Sequence, residues 1–230
     1  TFVRQILSLM HYPELLLNEE LFKHSPQDVQ DRVHTYLSSM TSTGCYTHSQ
    51  GIPVIRDEVA TFINQRDNCP NIVTKDDIFL TDGASSGIKS ILQLILHNDH
   101  DGALCPIPQY PLYSASLSLL GGKLVGYYLD EDNQWQLTIN SLQKAYDEAI
   151  NNGIAIRCIV IINPGNPTGQ CLPKDNICEI IKFCEKYDIC ILADEVYQEN
   201  IYSTTPFTSF HKVVIDMKSS VQLASFHSAS

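Results

Sequence analysis

From residue 77 onward, short apolar runs alternate with segments of helical apolar spacing, and this alternation restricts the fold more than any other feature. The runs are residues 78–81 (IFLT), 103–105 (ALC), 123–129 (KLVGYYL), 157–162 (RCIVII), 189–193 (ICILA) and 221–226 (VQLASF). Between them, residues 86–96, 112–120, 141–151 and 174–187 carry helical patterns; in the first, Ile88, Ile91, Leu92 and Ile95 share one side. Buried parallel strands read as near-continuous apolar runs, and the helices joining them cover both sheet faces. The pattern predicts an α/β fold, a three-layer α/β/α arrangement around a mostly parallel sheet. Right-handed crossovers then bring every strand's carboxyl end to one side.

The first part of the chain reads differently. Residues 2–10 have helical spacing, Ser25-Pro26 signals a helix running towards Met40, and residues 44–51 (GCYTHSQG) form a polar loop. A further helix is expected from Ile52-Pro53 to about Gln65. Residues 1–70 are thus expected to be an N-terminal helical segment and connection, and residues 71–230 the large α/β domain. With 43% hydrophobic residues in 230, the chain can bury a sizeable core. Its formal charge of −11, without any basic run, argues against nucleic acid and anionic membrane surfaces as partners. No apolar stretch approaches the roughly 18 residues of a membrane helix. The eight cysteines form no CxxC pair, and Cys158, Cys178, Cys184 and Cys190 fall in apolar patterns. They read as buried free thiols in a reducing compartment, cytoplasmic or mitochondrial. The eight histidines include no HExxH, and no metal is expected.

The segments at the strands' carboxyl ends are more specific. After the first strand comes Asp82-Gly83-Ala84-Ser85-Ser86, small residues opening a helix, where free N–H groups favour an anion. After the second comes Tyr110 between prolines (PIPQYPLY), a rigid loop suited to stacking an aromatic ring. After the fourth comes NPGNPTG (Asn163 to Gly169) and after the fifth Asp194-Glu195-Val196-Tyr197; the sixth leads into His227, Ser228, Ala229 and Ser230. A carboxylate at the end of a buried strand needs a partner, and a cationic ring nitrogen is a suitable one. Blander readings stand beside these: an ordinary N-cap at Gly83, a tyrosine packed on the core at 110, a self-capped loop at Asn166. Residues 83–87 also fit G-x-S-x-G, and Asp194 with His211 or His227 would complete the triad order of a serine hydrolase. That reading lacks an HGGG-type oxyanion segment and leaves NPGNPTG and Tyr110 without a role.

In this order and spacing, Gly83-Ala84-Ser85, Tyr110, NPGNPTG and the Asp194-to-Tyr197 segment resemble the fold-type I pyridoxal-phosphate aminotransferases. PIPQYPLYSA (106–115), YYLDE (127–131), NPGNPTGQ, ADEVYQENIY (193–202), ASFHSAS (224–230) and CYTHSQGIPVIRDEVA around Tyr46 bring the resemblance closer to the alanine aminotransferases. It covers essentially the whole chain. It implies pyridoxal 5'-phosphate as cofactor, with its phosphate on Gly83, Ala84, Ser85 and Ser228 and its ring stacked under Tyr110. Asn166 and Tyr197 would hydrogen-bond the phenolic oxygen, and Asp194 would keep the ring nitrogen protonated; Asp194 and Tyr197 are the catalytic candidates. Tyr46 would reach the cofactor phosphate of a neighbouring subunit, which implies a homodimer. The implied reaction converts L-alanine and 2-oxoglutarate to pyruvate and L-glutamate, small-molecule amino and 2-oxo acids. A glutamate–glyoxylate enzyme and a catalytically inactive truncated product are the alternatives.

The resemblance also implies a sheet order 3-2-4-5-6-7-1 and a Schiff-base lysine directly after the serine-rich segment. The chain stops at Ser230, one residue short. Lys174, Lys182 and Lys186 read as helix surface, and Lys212 and Lys218 as loop, so none replaces it. The expectation is an incomplete large domain, inactive alone, in which strand 78–81 lacks its neighbour and strand 221–226 is an open edge.

Overall fold

The computed structural model describes residues 1–40, 43–44, 46–202 and 204–229. Cys45 and Ser230, each part of a motif read above, lie outside the described residues. The chain divides into two units, Thr1–Leu80 and Thr81–Ser230.

The first unit is helical: α1 (Phe2–His11), α2 (Glu19–Lys23), α3 (Gln27–Ser39) and α4 (Pro53–Arg66). Ile6, Leu9 and Met10 on one side of α1 pack with Val29 and Val33 of α3. α4 begins on Pro53, whose missing N–H costs nothing at the first helical position. Arg56 in its first turn is 2% exposed, yet its guanidinium donates to the Gly51 carbonyl (3.1 Å), Gln50 Oε1 (3.2 Å) and the Lys75 carbonyl (2.7 Å). A buried cation is tolerated because its donors are used. The same segment corrects one expectation. Residues 78–81 form no strand: Ile78 N donates to the Lys75 carbonyl (3.3 Å) and Leu80 N to the Gln50 carbonyl (2.8 Å), rather than to any ladder. Apolar, extended residues become a strand only beside another strand.

The second unit is built on β1 (Asp101–Ile107), β2 (Lys123–Tyr128), β3 (Ala155–Ile162), β4 (Cys190–Asp194) and β5 (Leu223–Phe226). Their order is β2-β1-β3-β4-β5 and every pair is parallel. This is the expected order over the strands present. Five helices cover the sheet: α5 (Gly83–Ile95), α6 (Leu112–Leu120), α7 (Ile139–Asn151), α8 (Lys174–Tyr187) and α9 (Phe210–Met217). Strand side chains alternate between two cores. Ala103, Cys105, Val160 and Leu192 pack with Ile88 and Leu92 of α5 and Tyr113 and Leu117 of α6. Leu104, Ile159, Ile161 and Ile191 pack with Leu142 of α7, Ile177 and Ile180 of α8 and Phe210 of α9. The result is the three-layer α/β/α architecture.

Two further expectations are corrected. α5 starts at Gly83 rather than at residue 86, and α9 replaces a loop. Ser209 caps α9, its Oγ accepting from Lys212 N at 3.0 Å, and Phe210 and Val213 are buried. Lys212 is therefore helical, and it and Lys174 both pair with Asp216, at 2.6 and 2.7 Å. Of the four thiols read as buried, Cys158 and Cys184 are fully so, while Cys178 and Cys190 are half-buried. Burial also pushes the Cys105 thiol of β1 up to about 12. Among the described residues, no helix is long and apolar enough to cross a membrane.

Candidate active site

Eight of the residues singled out in the sequence meet in one cavity of about 260 Å³: Gly83, Ala84, Ser85, Tyr110, Asn166, Asp194, Tyr197 and Ser228. Ile88, Leu112, Ile162 and Val196 complete the lining. The parallel topology explains the meeting. Ile162 pairs with Asp194 and Asp194 with Phe226, so the segments leaving β3, β4 and β5 start at one level on one edge. Tyr46 belongs to the N-terminal unit and is 95% exposed.

Asp194 ends β4 and is 8% exposed. Its Oδ2 accepts from the Tyr113 phenol at 2.5 Å and its Oδ1 from Val196 N at 3.3 Å. Burial pushes its carboxyl above the ordinary range, while those two bonds and the nearby His227 pull the other way without cancelling the rise. Tyr113, fully buried, has its own phenol pushed far up by burial and by the carboxylate, so it stays protonated and donates. Both hydrogen-bond donors to the carboxylate are uncharged, and a cation entering the cavity would pair with it.

The cavity is also lined by the start of α5, which opens on Gly83 at φ +71, with open space where a Cβ would sit. Glycine is needed there for the backbone rather than for room. Asp82 gives the helix no side-chain cap and no acidic residue stands in its first turn. The first-turn N–H groups of Ala84 and Ser85 are therefore without a side-chain acceptor from Asp82, an arrangement that favours an anion.

The NPGNPTG loop divides its labour. Asn163 is fully buried and structural: its N donates to the Asp194 carbonyl (2.9 Å), its Nδ2 to the Thr208 carbonyl (3.1 Å), and its Oδ1 accepts from Leu172 N (3.0 Å). Gly165 lies so close to Thr168 and Gln170 that a Cβ would collide with their side chains. Asn166 then reaches the cavity, its Nδ2 lying 3.5 Å from Tyr197 Oη. Tyr110 and Tyr197 are 44% and 40% exposed, rings available to a ligand.

Sequence reading missed Tyr113 and the role of Asn163. The signal for Tyr113 was a phenol on the apolar face of a helix, which needs a buried acceptor. The hydrolase arrangement is not assembled: neither Ser85 nor Asp194 hydrogen-bonds a histidine, and a His227 ring nitrogen lies 3.2 Å from Gln198. A helix start without a side-chain cap, two tyrosines, an amide and a buried carboxylate lining one cavity instead suit a flat heteroaromatic cation carrying a phosphate. On these observations the residues present fit pyridoxal phosphate.

Comparison with known proteins agrees. Residues 15–230 match the family model described as aminotransferase class I and II. The chain is 48% identical over its whole length to alanine aminotransferase 2 of Panicum miliaceum, of which it covers 48%. It is likewise 48% identical to glutamate–glyoxylate aminotransferase 2 of Arabidopsis thaliana, covering 49% of that protein. An aminotransferase from Escherichia coli superposes on 88% of the chain with a TM-score of 0.70 at 29% identity, the chain covering 46% of it. The chain spans about half the length of the curated relatives it matches.

Proposed function

Since the chain belongs to the aminotransferase class I and II family, whose members use pyridoxal phosphate, we propose that the full-length protein transfers an amino group from L-alanine to 2-oxoglutarate, giving pyruvate and L-glutamate. The observation that carries the reading is Asp194, a buried carboxylate lining a cavity that the N-terminus of a helix also lines. One relative at the same identity is a glutamate–glyoxylate aminotransferase, so glyoxylate is the second acceptor to weigh.

The cofactor, when bound, supplies an aldehyde that takes up the amino group and a ring that draws electrons from the breaking Cα–H bond. The chain's own residues do the rest. The first-turn amides of α5, with the hydroxyls of Ser85 and Ser228, would hold the phosphate. Tyr110 covers the ring and excludes water from one face. Asn166 and Tyr197 donate to the phenolic oxygen. Asp194 holds a proton at the ring nitrogen, and the ion pair stabilises both charged partners where solvent is scarce. Tyr46, strongly exposed, is assigned to the cofactor phosphate of a second subunit in a homodimer. Several relatives are named as mitochondrial, and a cytoplasmic or mitochondrial location is proposed for this protein.

The test is a reconstitution of the full-length protein with pyridoxal phosphate. Pyruvate release from L-alanine is monitored with 2-oxoglutarate or glyoxylate as acceptor. Faster turnover with 2-oxoglutarate supports the first reading, and faster turnover with glyoxylate the second. No amino transfer from L-alanine or L-glutamate at saturating cofactor would sink both.

A further inference from the structure

Asp194 is held from behind by a residue that does not line the cavity. Tyr113 lies fully buried in the layer of α5 and α6, within the cluster of Ile88, Leu117 and Phe226. In such apolar company a phenylalanine would fill the same space, so the hydroxyl needs a reason. Its single bond is to Asp194 Oδ2, at 2.5 Å, the short end of charge-assisted hydrogen bonds. The other carboxylate oxygen has only the long 3.3 Å contact from Val196 N. Tyr113 is thus the stronger of the two restraints on the carboxylate.

We propose that Tyr113 is a positioning residue for the reaction: donating from the core, it sets the Asp194 carboxylate towards the cavity and keeps it charged there, ready for the cofactor's ring nitrogen. This rests on the pyridoxal-phosphate reading of the cavity. Burial drives Asp194 towards its neutral form, and the Tyr113 bond leads the influences that oppose it. The groups acting on Asp194 are Tyr113 from α6, His227 from the segment after β5 and Val196 N from the turn after β4, and Tyr197 of that turn lines the same cavity. Tyr113 itself faces Cys105 of β1 and Tyr127 of β2, both held neutral by burial. His227 is therefore the group whose titration must be separated from that of Asp194.

The experiment measures pyridoxal-phosphate affinity of the full-length protein by absorbance titration across pH. Parent, Tyr113→Phe, Asp194→Asn and the double variant are compared, with the first pair repeated in a His227→Asn background. Losing a hydrogen bond to a charged group corresponds to about tenfold to a hundredfold weaker binding on the acid side. The acid limb should move to higher pH in Tyr113→Phe, in both backgrounds, and the difference should close at alkaline pH. In Asp194→Asn, removing the hydroxyl should change nothing further. A loss equal at every pH, or one that persists in the Asp194→Asn background, makes Tyr113 merely structural and overturns the inference. An unshifted profile in Tyr113→Phe overturns it while leaving the cofactor reading intact; failure of the parent to bind overturns both. If Tyr113→Phe does not fold, replacing Tyr113 by 3-fluorotyrosine, a stronger donor of nearly the same shape, must move the acid limb to lower pH. An unmoved limb there refutes the inference.

Discussion

Replacing Asp194 with asparagine separates the catalytic role proposed for that position from its effect on stability. The carboxylate is 8% exposed and its two donors, Tyr113 and Val196 N, are both uncharged, so burial dominates and its pKa lies above the ordinary range. With a folded-state pKa above the unfolded value of roughly 3.9, the folded protein holds more protons than the unfolded one between the two values. The carboxyl therefore costs nothing below pH ~3.9, and its full cost appears once pH has risen through the folded pKa. Imperfectly compensated buried polar groups cost on the order of 1–3 kcal/mol. Asparagine keeps an acceptor for Tyr113, and the contact it gives up is the long one to Val196 N. At about 2–4 °C per kcal/mol, the cofactor-free variant should unfold several degrees above the parent at pH 8, and the margin should shrink towards pH 4. Adding cofactor reverses the order. The parent gains about 2.7 kcal/mol at a hundredfold excess over Kd, and the variant, with no charge for the ring nitrogen, gains less. Its turnover should fall by roughly two or more orders of magnitude. Scanning calorimetry of stripped and reconstituted protein at both pH values reads the stability changes, and a pyruvate-release assay reads the turnover. A lower unfolding temperature for the stripped variant at pH 8, or equal stabilisation of both by cofactor, would refute the reasoning.

Other positions give independent checks. Asn166→Ala and Tyr197→Phe each remove one donor from the pair that meets at 3.5 Å; each should slow transamination by about tenfold or more with little change in unfolding temperature. Arg56→Lys keeps the charge but cannot reach all three acceptors, so a loss of about 2–3 kcal/mol in denaturant unfolding is expected. Asp101 is fully buried, and although burial pushes its carboxyl up, bonds from His97 N (2.7 Å) and Arg157 (2.6 Å) bring it below the ordinary range. Its stabilisation is present above pH ~4 and is lost as pH falls through the lowered pKa. Asp101→Asn should therefore destabilise at pH 7, and the gap from the parent should narrow in acid unfolding curves.

Most of the fold was legible because buried parallel strands and their covering helices have different periods. The cavity's residues were legible because the topology sends every strand's end to the same edge. What was not legible depended on partners. Residues 78–81 have strand composition, yet a single strand has no ladder, and their backbone bonds go to Gln50 and Lys75 instead. α9 was hidden by Val213-Val214-Ile215, a β-branched run, although Ser209 as cap and the buried Phe210 and Val213 hold it helical. Tyr113 was visible only as a tyrosine in a motif; its acceptor is 81 residues away and is assigned by packing, not by spacing.

The alternation of strand side chains ties these parts together. Leu192 belongs to the core formed with α5 and α6, and Ala193 to the core formed with α7, α8 and α9. With a period of two, Asp194 returns to the side of Leu192, the side of Tyr113 and of the α5 N-terminus. The carboxylate and the start of α5 thus share one layer because of a single parity. A one-residue register slip in β4 would turn Asp194 towards the opposite core, away from both. On the proposed function, the pairing of Ile162 with Asp194 and of Asp194 with Phe226 is therefore a functional constraint as much as a structural one. It brings a carboxylate to a cavity that the start of α5, without a side-chain cap, also lines, a combination that suits a phosphate-bearing pyridinium.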